Sequence, residues 1–202
     1  MASFQEVLYY VVLDFEATCL KEGVPRPQEI IEFPSVIVDV QSRKIISKFQ
    51  RYVKPIHCPK LSNFCTELTG ITQDMVDKGC TFQEAVKDYS KWLHENGLMG
   101  SNFIIFTCGH WDLQSMYPRQ CNISKMMLKN PFKRWINIKI PFKQLYNAGG
   151  GRSGGMVKMM EQVGLKLEGR QHSGIDDCWN TARLLIKMME DGFQYDEKFV
   201  SK

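Results

Sequence analysis

The chain has 202 residues, 44% of them hydrophobic, enough for one well-buried core and somewhat long for a single domain. No run approaches the roughly 18 consecutive apolar residues of a membrane helix. Residues 7–13 are apolar, but no basic flank precedes them and Asp14 and Glu16 follow at once, so they do not read as a secretory signal. The seven cysteines, odd in number and without a Cys-x-x-Cys pair, suit reduced thiols in a cytosolic or nuclear protein that is not secreted. His57, Cys58 and Cys65 fit no standard structural zinc spacing.

Taken in chain order, residues 7–15 are expected to form a buried central strand. Residues 29–40 and 44–53 read as two further strands joined at Gln41-Ser42-Arg43, antiparallel at both turns. Thr81 with Glu84 three residues on predicts a capping box. It would open a helix toward His94 with Phe82, Ala85, Val86, Tyr89 and Leu93 inward. Residues 102–108 predict a buried strand, followed by a helix to about Cys121. Residues 135–138 suggest a last strand, residues 155–163 a methionine-rich helix, and residues 176–191 a long helix with Ala182, Leu185, Ile186 and Met189 inward. This order predicts an α/β fold, a mixed five-stranded sheet flanked by helices, in one domain over 1–202 with its core at about 8–192. The glycine-rich residues 149–155 lack the ending of a P-loop and read as a loop.

The net charge is +4, and its distribution is uneven. The 48 residues between Asp112 and Glu161 carry nine basic and no acidic side chains, leaving 17 basic against 22 acidic elsewhere. Phe132, Trp135, Phe142 and Tyr146 are interleaved with the basic residues. Such a segment could follow a phosphate backbone and stack bases, with Lys133, Arg134 and Lys139 as backbone contacts. Equally, the aromatics could face inward beneath a solvated surface.

Four acids and one histidine could do chemistry. Asp14 and Glu16 are two apart at the end of the first strand, so period-two alternation puts them on one side of the sheet. Neighbouring carboxylates repel when ionised, and a divalent cation between them is the usual remedy. Asp112 follows the buried strand and opens a helix. Asp177 lies in the first turn of the last helix, five residues after His172 on a glycine-flanked loop. Helix capping and hydration would also account for each acid taken singly.

Together these residues are familiar. Asp-x-Glu on the first strand, Asp after a later strand, and His-x4-Asp at the last helix resemble the DEDDh 3′→5′ exonucleases of ribonuclease H-like fold. The finer strings Val12-Leu13-Asp14-Phe15-Glu16-Ala17-Thr18-Cys19, Gln28-Glu29-Ile30-Ile31-Glu32-Phe33-Pro34 and Cys65-Thr66-Glu67-Leu68-Thr69-Gly70-Ile71 resemble the Eri-type, histone-mRNA 3′-exonuclease (Snipper-like) group. So do Trp111-Asp112, Trp135-Ile136-Asn137 and His172-Ser173-Gly174-Ile175-Asp176-Asp177-Cys178. His110, before Trp-Asp, departs from the usual polar residue, and these 202 residues leave no room for an extra RNA-binding domain.

The resemblance implies Asp14, Glu16, Asp112 and Asp177 as ligands of two Mg²⁺ or Mn²⁺ ions, hard cations that take oxygen donors. It implies His172 as general base, a task that suits an imidazole. Glu16 would contact the 3′-hydroxyl, and Phe15, Ala17 and Trp111, with His172, would border the 3′-terminal nucleotide. The expected substrate is RNA with a 3′ end, cut to 5′-mononucleotides. Single-stranded DNA or 3′ overhangs are the alternative, and a catalytically inactive nucleic-acid-binding module is the reading from another class. No membrane partner is expected.

Overall fold

The computed structural model describes residues 6–100, 102–146 and 154–201. Most of the glycine-rich residues 149–155, and Arg152 of the basic stretch, lie outside them.

The sheet is built around β1 (Tyr9–Leu13), whose five residues are almost wholly apolar. β1 pairs antiparallel with β3 (Ile30–Asp39) and parallel with β5 (Phe103–Thr107). Beyond β3 lies β4 (Lys44–Tyr52), and beyond β5 lie β6 (Trp135–Asn137) and β7 (Val200–Ser201). A two-residue strand, β2 (Glu16–Ala17), also pairs with β3. The sheet thus has seven strands where five were expected. The additions, β2 and β7, are two residues each, too short to leave a periodic signal.

A central strand must be apolar on both faces, and alternation along β1 supplies both layers. Val11 and Leu13 face a cluster with Phe82, Val86, Tyr89 and Leu93 of α3 (Phe82–Glu95) and with Tyr117, the first residue of α4 (Tyr117–Ile123). Tyr10 and Val12 face the opposite cluster. It holds Phe142 of α5 (Lys139–Leu145), Met159 of α6 (Met156–Gln162), and Cys178, Leu185 and Met188 of α7 (Gly174–Glu190). The Thr81–Glu84 capping box opens α3 as expected, and its five inward residues are all buried. α7 starts two residues earlier than the sequence suggested. Ile186 is only partly buried, with Leu184 and Met188 taking the inward positions. Two short helices, α1 (Asn63–Thr69) and α2 (Gln73–Asp77), bring Cys65, Ile71 and Val76 into a small third cluster with Ile31 of β3. Nearby, the buried Glu29 carboxylate accepts the N–H groups of Ile56, His57 and Cys58 at 2.8–2.9 Å, pinning the loop after β4.

β1 does not run through to Phe15. Its ladder with β3 stops at Leu13 opposite Ser35 and resumes in the same register at Glu16 opposite Glu32. The break falls opposite Pro34, which has no N–H to offer a ladder. Phe15 N–H is released from the sheet and donates instead to Asp112 Oδ1 at 2.8 Å.

Candidate active site

Because the register is unchanged across the break, Asp14 and Glu16 continue the alternation of Tyr10 and Val12, and Glu16 stands opposite Glu32. This is the face on which α7 packs. The contact is close. A Cβ on Gly174, the first residue of α7, would stand 2.8 Å from Pro34 Cγ, 2.9 Å from Glu32 Oε2 and 3.1 Å from Asp14 O. Glycine there lets the helix start against the strand end, which sets Asp177 one turn away from Asp14. Asp112 arrives from the other side, on the π-helical turn Trp111–Met116 after β5. The structure therefore brings together the four acids from the break after β1, from β2, from the turn after β5 and from α7.

Among the described residues none of the four is ion-paired with a lysine or arginine, and their charges act on one another. Burial, then the charges of Asp112, Glu16, Asp177 and Glu32, hold Asp14 well above the usual carboxylate range. Burial and then Glu32, Asp177 and Asp112 push Glu16 up to about 9. Burial raises Asp112 to about 6 against the opposing bond from Phe15 N–H, and raises Asp177 to about 6 against the bond from His172 N–H. Among the described residues no three His, Cys, Asp or Glu side chains converge as ligands of one ion. The donor set nonetheless fits a hard divalent cation. It consists of carboxylate oxygens with uncompensated charge, and Asp177 Oδ1 is buried without a hydrogen-bond partner. Its other oxygen is engaged, accepting His172 N–H at 3.0 Å.

His172 is exposed and has a left-handed backbone (φ 65°), a conformation that costs a non-glycine residue on the order of 1 kcal/mol or more. The bond to Asp177 helps hold it there. The glycine-flanked loop is thus tied to the acid cluster.

The residues expected around a nucleotide divide. Trp111 is 40% exposed and presents its ring to solvent. Phe15 is 2% exposed, its ring packed edge-on against Phe33 and stacked with Tyr117, so its side chain belongs to the core and only its backbone is near the acids. Ala17 is likewise buried.

Of the basic residues, Lys139 sits at the carboxyl end of β6, where its charge and that of Asp14 both act on Cys108. Lys133 lies beside a shallow apolar pocket lined by Leu113, Tyr117, Leu128 and Trp135. Arg134 is paired with Glu197 at 2.8 Å, which takes it out of a free basic surface. Phe132, Trp135 and Phe142 are buried and Tyr146 is half-buried, so the aromatics of this stretch face inward. His110 lies with its ring 6.5 Å from that of Trp135.

Sequence reasoning quoted Glu32 within a motif and gave it no role. It is 2% exposed, and both its oxygens are used: Oε1 accepts from Gln50 Nε2 at 2.7 Å, and Oε2 accepts Gly174 N–H at 3.1 Å, with Ile175 N–H also bonding the carboxylate. Ser173, at the cap position of α7, makes no side-chain cap bond. Glu32 therefore caps α7 from across the sheet. The signal for it was an acid inside the apolar run Ile30-Ile31-Glu32-Phe33.

With this geometry in place, the comparisons with known proteins agree. The exonuclease family profile RNase_T matches residues 11–185. The human protein named ERI1 exoribonuclease 3 is 40% identical over 201 residues, covering 98% of this chain and 59% of that protein. The chain spans little more than half the length of the curated relatives it matches. Among solved structures, the nuclease domain of 3′hExo, described as a DEDDh family member bound to rAMP, superimposes with a TM-score of 0.86. It is 36% identical, over 95% of this chain and 96% of that one. A structure titled for 3′-end specific recognition of histone mRNA stem-loop by 3′-exonuclease gives the same score and identity, over 93% and 84%. The chain belongs to the RNase_T exonuclease family, within its DEDDh, Eri-type histone-mRNA 3′-exonuclease group.

Proposed function

We propose that this chain is a divalent-metal-dependent 3′→5′ exonuclease that shortens RNA from its 3′ end and releases 5′-mononucleotides. The observation that carries the proposal is the meeting of Asp14, Glu16, Asp112 and Asp177 from four separate stretches of the chain, with His172 hydrogen-bonded to the last of them. Asp14, Glu16, Asp112 and Asp177 would hold two Mg²⁺ or Mn²⁺ ions. Bound there, such ions neutralise charge on the scissile phosphate and on the attacking and leaving oxygens.

The chain's own side chains supply the rest. His172, exposed at the rim, takes a proton from the attacking water through its imidazole. Asp177 holds the main chain of that residue through one oxygen and keeps the other free for a cation. The Phe15 bond fixes Asp112, and hence the start of the turn that carries Trp111. Trp111 then offers a ring on which the terminal base can stack, and Lys139 a cation for the phosphate chain. Glu16 would meet the 3′-hydroxyl, which would restrict cutting to an end.

The test is digestion of labelled single-stranded RNA and DNA of one sequence, with Mg²⁺, Mn²⁺ or EDTA. Mononucleotide release from RNA, abolished by EDTA, is expected. No release from either strand, or release indifferent to EDTA, would overturn the reading. Faster release from DNA would keep the reaction and change the substrate. A cytosolic or nuclear site of action goes with this substrate, and imaging of a tagged chain would check it.

A further inference from the structure

The loop that carries His172 has a second attachment, independent of Asp177. Arg170, two residues before the histidine, sends its guanidinium across to the C-terminus of α1. There Nη2 donates to the main-chain carbonyls of Glu67 and Leu68, the latter at 3.4 Å. The last carbonyls of a helix have no partner within it and carry partial negative charge, so a cation with several donors suits that end. The neighbouring glycines make room. Gly70 closes α1 in a left-handed conformation (φ 78°), and a Cβ there would stand 2.7 Å from Arg170 Nη1. Gly169 is also left-handed (φ 72°), and a Cβ there would stand 2.5 Å from the Asp176 carboxyl carbon. Arg170 N–H donates to that same carboxylate at 2.9 Å. Upstream, Asn180 of α7 is bonded to both the N–H and the carbonyl of Glu168.

The segment before α7 is therefore anchored at Glu168, at Arg170 and at His172. Among the described residues, the Arg170 side chain is what hydrogen-bonds residues 168–173 to an element other than α7. This gives the string ending in Thr69-Gly70-Ile71, which holds no acid of the cluster, a place beside the site.

We propose that Arg170 is a positioning residue for His172: by gripping the carbonyl end of α1 it holds the left-handed turn that aims the imidazole at the attacking water. This rests on the reading of His172 as general base. Arg170 is exposed, so the competing role is direct contact with the phosphate backbone of the substrate, and the two differ in what they change. A positioning residue acts on kcat and only when His172 is present. A phosphate contact acts on KM and on its salt dependence, and lysine replaces arginine there far better than at a two-carbonyl grip.

The experiment measures kcat, KM and the salt slope of KM on labelled single-stranded RNA for His172→Ala, Arg170→Ala, Arg170→Lys and the double variant Arg170→Ala/His172→Ala. Thermal melts confirm that each is folded. His172→Ala is expected to lose roughly 10²- to 10⁴-fold in kcat. Arg170→Ala should lose roughly tenfold to a hundredfold, the scale of a misplaced catalytic group, with KM and salt slope within about twofold. Arg170→Lys should resemble Arg170→Ala, and the double variant should be no slower than His172→Ala alone.

Wild-type kcat for Arg170→Ala would overturn the proposal. So would a loss confined to KM with a flatter salt slope and rescue by lysine, or a double variant slower than His172→Ala. An active His172→Ala would instead remove the reading of the base, and the proposal with it. An inactive His172→Ala beside a fully active Arg170→Ala removes the proposal alone.

Discussion

The two halves of the candidate active site are held in different ways. Asp14, half-buried just past the end of β1, and Asp112, buried just past the end of β5, owe their positions to ladder register, a break opposite Pro34 and one bond from Phe15 N–H. His172 is exposed, on a loop held by side chains: Asp177 on its N–H, Arg170 on α1. Between them stands Glu32, a strand residue that caps the helix carrying the second half. The acids are rigid and electrostatically strained, whereas the histidine is unburied and conformationally strained. Damage to the first half should abolish the chemistry while relieving the fold. Damage to the link between the halves should harm both.

The largest effect tests the first half. Asp14→Asn removes a half-buried carboxylate that four others surround. We predict that RNA digestion falls by roughly 10³-fold or more, while the melting temperature of the metal-free protein at pH 8 rises. A fall in that temperature would show that the acids are not in strain and would break the comparison.

The pH dependence of stability is the next effect. Asp112 and Asp177 are raised to about 6 and Glu16 to about 9 in the folded state, above their unfolded values. Acids raised on folding bind protons more tightly when folded. The stability they contribute is complete below the unfolded carboxylate range of about 4, and is lost as pH rises through the folded values. The melting temperature of the metal-free protein should therefore decline between about pH 5 and pH 9, and Mg²⁺ or Mn²⁺ should restore most at the alkaline end. A cation effect equal at both ends would mean that these acids are not what the cation meets.

How much of this was legible beforehand follows the same division. α3 was readable because its capping box and five inward residues are contained in fourteen positions. β1, β3 and β4 were readable because long apolar runs and a short turn are local too. The break after Leu13 was not, since it requires knowing that Pro34 falls opposite Asp14. α1 and α2, of seven and five residues, are too short to show two turns of periodicity. The family strings marked the acids and the histidine. They did not show that the Phe15 ring goes to the core or that Arg134 is spent on Glu197, because both follow from packing against distant segments. Glu32 was invisible as a cap because the N–H it accepts lies 142 residues away.

At that cap, two carboxylates of one cluster should behave oppositely. Glu32→Ala leaves Gly174 N–H, Ile175 N–H and Gln50 without their acceptor, and an unsatisfied buried donor costs about 1–3 kcal/mol. Urea unfolding should show a loss of that order, where Asp14→Asn shows a gain, and activity should fall as the start of α7 shifts. Unchanged stability would mean that Gly174 and the core face of α7 position the helix without Glu32.

The smallest effect bears on the same helix end from the other side. At an ordinary helix start, truncating the cap serine costs about 1 kcal/mol. Ser173 makes no cap bond, and the N–H groups of Gly174 and Ile175 are already turned toward Glu32. Ser173→Ala should therefore change stability by less than about 0.5 kcal/mol. In the Glu32→Ala background Ser173 becomes the nearest remaining acceptor, and its removal should then approach the ordinary cost. Measuring the four proteins as one cycle gives the coupling between the two residues directly. A full cap cost for Ser173→Ala alone would show that the serine turns inward in solution, and the link between strand and loop would then be shared. Near-additivity with both effects small would place the hold on α7 in its packing against β3, with Gly174 as the residue that permits the approach.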